Sequence, residues 1–274
     1  MRGIGDDCCE WTPGGRTCLS VDALVEGVHF LPTDDPRAIG RKAAGAALSD
    51  LAAAGAQPVG AVVALCVPRH WDGLAVMEGL NAELQRHHCP LLGGDTTAAA
   101  QLTISVTVWG EAVAGQRLLR RSGAQAGDLL VVTGPLGGSF LSGRHLRPEP
   151  RFAAGQWLAA CPYVHACMDL SDGLASDAPK LAEASGVSCL LLPNQVPVHQ
   201  DAEHLPDATG AACSDGEDFE LLAAVSADQW MNLQLAWPFT PRLSLVGWLT
   251  PEPEHTMEDA YGKRVPLTLR GYEH

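Results

Sequence analysis

The chain has 274 residues, of which 46% are hydrophobic and 18% charged, and this composition fits one large globular domain or two medium ones. A formal net charge of −14 argues against nucleic-acid binding, which requires a basic surface, and against docking on anionic membranes. No apolar run is long enough to span a bilayer, and nine cysteines without a C-x-x-C pair predict reduced thiols in a cytoplasmic protein.

The first half of the chain predicts strands alternating with helices. The predicted elements are a strand at 17–22, an alanine-rich helix at 37–54 that stops at Gly55, a buried strand at 59–67, a helix at 72–87 and a strand at 102–109. In the second helix, Leu74, Met77, Leu80 and Leu84 recur at helical spacing and predict its buried face.

A polar, turn-rich stretch at 117–128 predicts a linker, after which the pattern restarts. The predicted strands are 129–133, 219–225 and 242–249, the predicted helices are 152–160, 174–185 and 227–236, and 250–260 is predicted to be a polar loop. The sequence therefore predicts an α/β (α+β) protein with two domains, 1–118 and 119–274, whose topology stays open.

Aspartates recur in short motifs at predicted strand ends, helix ends and turns. They are Asp6, Asp7, Asp22, Asp50, Asp95, Asp169 and Asp172. Any one of them can be a cap or a turn residue. As a convergent set they would repel one another and would need cations, and a site without histidine or cysteine ligands favours Mg²⁺ or Mn²⁺ over zinc. Such a site suits polyphosphate binding through metal ions.

Other candidate residues keep two interpretations each. Neither a P-loop nor a dinucleotide-binding glycine motif is present, and GPLGGS at 134–139 fits a plain turn as well as a phosphate loop. His29 in EGVHF is either a hydrogen-bonded core residue or a substrate contact. Arg121 is either solvated or a phosphate ligand. The acids of 214–222 are either turn and surface residues or part of a site.

Nine motifs, in order over nearly the whole chain, resemble those of thiamine-monophosphate kinases. They are GIGDD (3–7), SVDALVEGVHF (20–30), ALSDLAAAGAQP (47–58), GGDTT (93–97), RRSGAQAGD (120–128), VTGPLGG (132–138), MDLSDGL (168–174), GEDFELL (216–222) and GYEH (271–274). This family belongs to the ATP-binding superfamily typified by aminoimidazole ribonucleotide synthetase. The EGVHF and GYEH motifs favour this kinase over its relatives.

The resemblance implies a two-domain aminoimidazole ribonucleotide synthetase-like fold. It implies an N-terminal domain that binds ATP and Mg²⁺ and forms a homodimer through its strands, and a C-terminal α/β domain. It also implies direct phosphoryl transfer from ATP to thiamine monophosphate, giving thiamine diphosphate without a phosphoenzyme.

The resemblance assigns roles to individual residues. The expected ligands of several Mg²⁺ ions are Asp6, Asp7, Ser20, Asp22, Asp50, Asp95, Asp169 and Asp172. The expected ATP contacts are Gly94, Asp95, Arg121 and Ser171, and the expected thiamine-phosphate contacts are His29, Glu217 and Tyr272. Asp22, Asp95 and Arg121 are expected to act in catalysis.

The chain also departs from the family pattern. It begins at the first metal motif, so the family's usual N-terminal segment is expected to be missing, and Val21 stands where a threonine is usual. Two alternatives stay open: another ATP-using enzyme of the superfamily, or a nucleotide-binding protein without turnover.

Overall fold

The computed structural model describes residues 13–272. Two compact units divide the chain. The described part of the first unit runs to Leu118 and also includes Leu146–Phe152, and the second comprises Leu119–His145 and the described chain from Ala153.

In its described part, the first unit contains four strands and two helices. They are β1 (Thr17–Val25), α1 (Pro36–Ala53), β2 (Ala56–Val67), α2 (Gly73–Arg86), β3 (Leu91–Ala98) and β4 (Thr103–Ala112). The strand order is β1-β4-β2-β3; β4 is antiparallel to both neighbours and β2 is parallel to β3. Alternate residues of β4 (Ile104, Val106 and Val108) are fully buried, so one face of the sheet forms the core against α1.

Helix α1 begins at a favourable cap and is buried on almost every side. Asp35 accepts a hydrogen bond from the Arg37 N–H, and Pro36 stands at the first helical position. Small residues allow α1 and α2 to pack closely, because a Cβ at Gly40 would lie only 1.9 Å from the Val76 carbonyl oxygen. Helix α1 also packs on β1 and β4, so Asp50, near its C-terminal end, lies close to the sheet.

Over the residues that the structure describes, the second unit is a seven-stranded mixed sheet with short helices. Its elements are β5 (Leu129–Val132), α3 (Ser139–Ser142), α4 (Phe152–Ala160), β6 (Val164–Asp169), α5 (Leu174–Ala184), β7 (Ser188–Leu191), α6 (Ala208–Ser214), β8 (Leu221–Val225), α7 (Trp230–Ala236), β9 (Ser244–Thr250), β10 (Thr256–Glu258) and β11 (Arg264–Pro266). The strand order is β11-β10-β7-β9-β5-β8-β6. The core of this unit joins the buried strands β5, β6, β7 and β8 to the apolar side of α5.

The mixed α/β architecture agrees with the predicted class, but several elements differ from the sequence expectation. Strands β3, β6 and β7 were not predicted. Leu74 is 72% exposed, because it lies in the first turn of α2, whereas Leu80 and Leu84 are buried as expected. The predicted loop 250–260 contains β10. Within residues 13–272, no helix combines the length and apolarity that crossing a membrane requires.

Candidate functional site

Ser20 and Asp50 come together where α1 packs on the first sheet. The Ser20 hydroxyl donates a short hydrogen bond to Asp50 Oδ2, although the two residues are thirty positions apart in the chain. Asp22 is two residues after Ser20 on β1, and both are half-buried, so strand alternation directs both side chains to the α1 side of the sheet. The hydroxyl of Ser20 and the carboxylates of Asp22 and Asp50 are hard oxygen donors, the type that Mg²⁺ prefers.

Gly94 and Asp95 lie at nearly the same level of the sheet as Asp22, on the other edge. Asp22 pairs with Val106, Val106 with Val63, and Val63 with Gly94, so the row that begins at Asp22 ends one residue before Asp95. Asp95 is exposed, and its Oδ1 accepts a hydrogen bond of 2.9 Å from the Thr96 N–H, which fixes the carboxylate near the strand.

His29 is held in a tight turn immediately after β1. Its Nδ1 accepts a hydrogen bond of 3.0 Å from the Val25 N–H, and its own N–H donates to the Val25 carbonyl at 3.0 Å. Because a backbone N–H can only donate, Nδ1 carries no proton in this arrangement, and the ring hydrogen of the neutral form is on Nε2. Nε2–H is therefore the hydrogen-bond donor of this ring in its neutral form.

Buried side chains fix the turn that carries His29. The ammonium of Lys42, on α1, is fully buried and donates a short hydrogen bond to the His29 carbonyl. Glu26 accepts hydrogen bonds from the Trp71 indole at 3.1 Å and from the Leu102 N–H at 3.0 Å. The turn is thus held by side-chain contacts from α1 and from the loops that flank α2 and β4.

In the second unit, Asp169 is the last residue of β6, and the loop that follows carries Ser171 and Asp172. Asp169 is buried at the end of β6. Asp177 organises the rest of the loop, because its Oδ2 accepts hydrogen bonds of 3.0 Å from the N–H groups of both Ser171 and Asp172. Lys180 pairs with Asp177 at 2.9 Å and makes a short contact to Asp172, which compensates part of this buried negative charge. Burial raises the pKa of Asp177, and Lys180 opposes that rise.

Backbone hydrogen bonds join Glu217 and Tyr272 to the same loop. The Glu217 N–H donates to the Ser171 carbonyl at 2.7 Å, and the Tyr272 N–H donates to the Asp172 carbonyl at 2.8 Å. Four of the predicted site residues, from three motifs far apart in the sequence, are therefore adjacent in this unit. The sequence motifs predicted these residues, but not the hydrogen bonds that join them.

The glycine-rich segment GPLGGS is a scaffold for the neighbouring acidic segment. The Gly137 N–H donates to both carboxylate oxygens of Asp218, at 3.1 and 3.0 Å, and the Gly138 N–H donates to Asp215 at 2.8 Å. Arg144 also binds Asp218, at 2.8 Å. Burial raises the pKa of Asp218 to about 6, although Arg144 and the Gly137 N–H oppose the rise. These two backbone donors are thus used internally, which favours the turn interpretation of the motif.

Arg121 lies at the beginning of the second unit and is exposed to solvent. Its carbonyl accepts a hydrogen bond of 3.2 Å from the Ser185 hydroxyl, which anchors the backbone at this point. The predicted ligands Asp6 and Asp7 lie outside the described residues. Among residues 13–272, no three His, Cys, Asp or Glu side chains lie close enough together to hold a metal ion. The complete metal-ligand set therefore stays a prediction.

Comparison with known proteins decides the family. The model of the AIR synthase related protein, N-terminal domain, matches residues 5–112. The thiamine-monophosphate kinase of Bacillus subtilis (strain 168) is 38% identical over 261 residues, which cover 85% of this chain and 80% of the relative. The chain belongs to the thiamine-monophosphate kinase family.

Solved structures agree with this family assignment. AaThiL complexed with AMPPCP and TMP is 28% identical, has a TM-score of 0.81 and matches over 94% of this chain and 87% of that one. E. coli HypE matches with a TM-score of 0.82 over 98% of this chain and 92% of that one, but at 20% identity, which shows a common fold alone. The thiamine-monophosphate kinase family is thus distinguished from other proteins of this fold by its sequence.

Sequence reasoning missed the residues that support the family motifs. Asp177 and Lys180 follow the MDLSDGL motif, and their i,i+3 spacing on a predicted helix was a usable signal for an ion pair. Arg144 and His145 lie in a polar stretch without periodicity, so only the folded chain shows that they contact the GEDF segment. Lys42 was missed because it lies within an alanine-rich helix, where no motif marks it as a residue that supports the His29 turn.

Proposed function

We propose that this protein transfers the γ-phosphoryl group of ATP to the phosphate of thiamine monophosphate. The observation that carries the proposal is the 38% identity to a thiamine-monophosphate kinase over 85% of the chain. AaThiL, which has the same fold, binds AMPPCP, an ATP analogue, together with TMP. In the reaction, the bond between the γ-phosphorus and the β,γ-bridging oxygen breaks, a bond from an acceptor phosphate oxygen to the γ-phosphorus forms, and ADP leaves.

The chemistry requires positioning and charge neutralisation more than acid–base catalysis. The acceptor phosphate is already an anion, so no strong general base is needed. Direct transfer also suits His29, whose Nδ1 is occupied by the Val25 N–H and whose Nε2–H is a donor. We assign His29 to hold the acceptor phosphate, and Glu217 and Tyr272 to hold the rest of the thiamine phosphate.

For the donor, Gly94, Asp95, Arg121 and Ser171 are proposed to bind ATP. Asp22, Asp95 and Arg121 are proposed to be the residues on which the rate of transfer depends. A guanidinium such as that of Arg121 suits this role, because it remains charged and matches phosphate geometry.

Oxygen donors of the chain suit Mg²⁺. Ser20, Asp22 and Asp50 are the members of the proposed set that lie in one corner of the first unit, and Mg²⁺ typically takes one or two carboxylates while keeping water and phosphate ligands. The other proposed ligands of several ions are Asp6, Asp7, Asp95, Asp169 and Asp172. When bound, Mg²⁺ neutralises phosphate charge during transfer.

We further propose that the enzyme is a cytoplasmic homodimer. Leu19 and Val21 on β1 are 67% and 58% exposed, so the face of the first sheet opposite α1 has apolar side chains that a second copy can cover. The seven cysteines among the described residues are all free, in keeping with a reducing compartment. Sedimentation velocity of the purified protein tests the dimer, and Val21→Glu should shift it to the monomer.

A product assay with matched variants tests the proposed activity. Asp95→Asn should reduce the formation of thiamine diphosphate by at least about 100-fold, because it removes a charge that positions ATP. Glu78→Gln makes the same charge change in the same unit, at an exposed pair with Arg37, and should keep normal activity. Equal activity of the two variants would remove Asp95 from the site.

His29 can be tested while its turn is kept. In His29→Asn, the amide oxygen can replace Nδ1 as the acceptor for the Val25 N–H, but the Nε2 donor is lost. We expect a higher KM for thiamine monophosphate and an unchanged KM for ATP. A phosphohistidine at His29 after incubation with ATP alone would contradict direct transfer.

A further inference from the structure

Phe140 is an exposed aromatic residue in the glycine-rich segment of the second unit. It lies on the short helix α3, is 49% exposed, and its ring centroid is 4.8 Å from that of His145 at an interplanar angle of 33°. His145 itself is only 4% exposed. One side of the Phe140 ring is therefore supported by a buried ring, and the side chain still has a large exposed area.

The same histidine holds Glu217. The His145 Nδ1 lies 3.2 Å from Glu217 Oε2, and the Ser139 hydroxyl donates a hydrogen bond of 2.7 Å to the Glu217 carbonyl. The Glu217 side chain nevertheless keeps 23% of its surface exposed. An aromatic residue and a carboxylate, far apart in sequence, thus share His145 as a common support and both remain accessible.

The backbone around Glu217 is fixed in an unusual conformation. Glu217 has a φ of 62° and Phe219 a φ of 54°, both in the left-handed region that non-glycine residues rarely adopt. Strain of this kind persists only where surrounding contacts enforce it, and it is concentrated at functional sites. Here the contacts come from two sides: the Gly137 N–H and the Ser139 hydroxyl belong to the segment that carries Phe140, and the carbonyls of Leu170 and Ser171 accept the N–H groups of Phe219 and Glu217.

An aromatic face beside a fixed carboxylate is suited to a flat, positively charged ring. The aromatic quadrupole attracts a cation placed over its face, and the carboxylate adds a full negative charge. Thiamine monophosphate contains such a ring, the thiazolium, whose charge is permanent.

We propose that Phe140 determines acceptor specificity by binding the thiazolium ring, and that His145 is a positioning residue that holds Phe140 and Glu217 side by side. This inference rests on the proposed function and adds two residues to it, neither of which the family motifs assigned. The acceptor is then selected by the charge of its ring as well as by its phosphate.

Steady-state kinetics with a charged and a neutral acceptor test the role of Phe140. The neutral acceptor is the monophosphate of deazathiamine, in which a neutral thiophene ring replaces the thiazolium. Phe140→Leu should raise the KM for thiamine monophosphate about fivefold to tenfold, leave the KM for ATP unchanged, and reduce the preference for the charged ring. Phe140→Trp should keep the preference. Leu141→Ala is the control, since Leu141 is 69% exposed on the same short helix.

Each outcome decides the proposal. An unchanged KM in Phe140→Leu, or an equal rise for both acceptors, would overturn it, because the ring charge would then not be read by Phe140. If the wild-type protein makes no thiamine diphosphate, the proposed function fails; calorimetric binding of thiamine monophosphate to wild type and Phe140→Leu then tests the ring contact separately. Equal binding by the two proteins would overturn it.

His145 is tested by rescue. His145→Ala removes the support, whereas the side-chain N–H of His145→Asn can take the place of Nδ1 against Glu217. We expect a raised KM for thiamine monophosphate in the alanine variant, partial recovery in the asparagine variant, and an unaffected KM for ATP in both. A change in the two KM values together, without recovery, would indicate a general structural role and contradict positioning.

Discussion

Replacing Gly94 with alanine should disrupt the strand that carries Asp95, whereas the same change at Gly93 should be tolerated. A Cβ at Gly94 would lie 2.1 Å from the Val63 carbonyl oxygen, a backbone atom of the paired strand, and its φ of 154° is unfavourable for alanine. At Gly93 the nearest atom, Val62 Cγ1, would be 4.0 Å away, an ordinary contact.

The magnitude follows from these two costs. Overpacking against a fixed neighbour costs about 1–3 kcal/mol, and a residue held in an unfavourable backbone region costs about 1–3 kcal/mol. Gly94→Ala should therefore lower the free energy of unfolding by about 2–6 kcal/mol. Gly93→Ala should remain within about 0.5 kcal/mol of wild type. Urea unfolding followed by circular dichroism measures both. Equal stability of the two variants would refute the packing argument, and full kinase activity in a folded Gly94→Ala protein would refute the link to Asp95.

Three further predictions concern buried acids and metal dependence. Asp177→Ala leaves two N–H groups in the loop after β6 without their acceptor and should lower the free energy of unfolding in urea by about 2–6 kcal/mol. Asp177→Asn keeps an acceptor oxygen and should lower it less. Equal losses in the two variants would contradict this. Because the pKa of Asp218 is higher in the folded protein than in the unfolded chain, the protonated carboxyl stabilises the folded state. This stabilisation is complete below pH about 4 and is lost as the pH rises through about 6. Wild type should therefore lose up to about 3 kcal/mol relative to Asp218→Asn over that window, and parallel pH profiles would refute the shift. Mg²⁺ should raise the Tm of wild type in the presence of ATP and should raise it less in Asp50→Asn; an equal rise would remove Asp50 from the proposed ligand set.

A helix with a strong helix-forming composition was predictable. Helix α1 spans Pro36–Ala53 where 37–54 was predicted, because the segment is rich in alanine and Gly55 marks its end. Strand β3 was not predicted, since Leu91–Ala98 has two glycines and polar residues in place of alternating β-branched ones. Its pairing with β2 is a tertiary effect that a local pattern does not contain.

The candidate site was predictable in its motifs but not in its contacts. The family resemblance selected Ser20, Asp50, Ser171 and Glu217, and the folded chain joins them in two pairs, Ser20 with Asp50 and Ser171 with Glu217. Asp177 lies only five or six positions after the two N–H groups that it accepts, but the loop conformation that brings both to one carboxylate oxygen leaves no periodic pattern in the sequence. The strained φ of Glu217 was equally unpredictable, because a glutamate does not favour the left-handed region.

The central claim, direct phosphoryl transfer to thiamine monophosphate, is tested most directly with ATP labelled in its γ-phosphoryl group. The purified full-length protein is incubated with labelled Mg-ATP and thiamine monophosphate, and the nucleotides, thiamine phosphates and protein are then separated by chromatography. The account predicts label in thiamine diphosphate, in equal amount to the ADP formed, and none on the protein. ADP formed without labelled thiamine diphosphate, or label bound to the protein in the absence of acceptor, would contradict it.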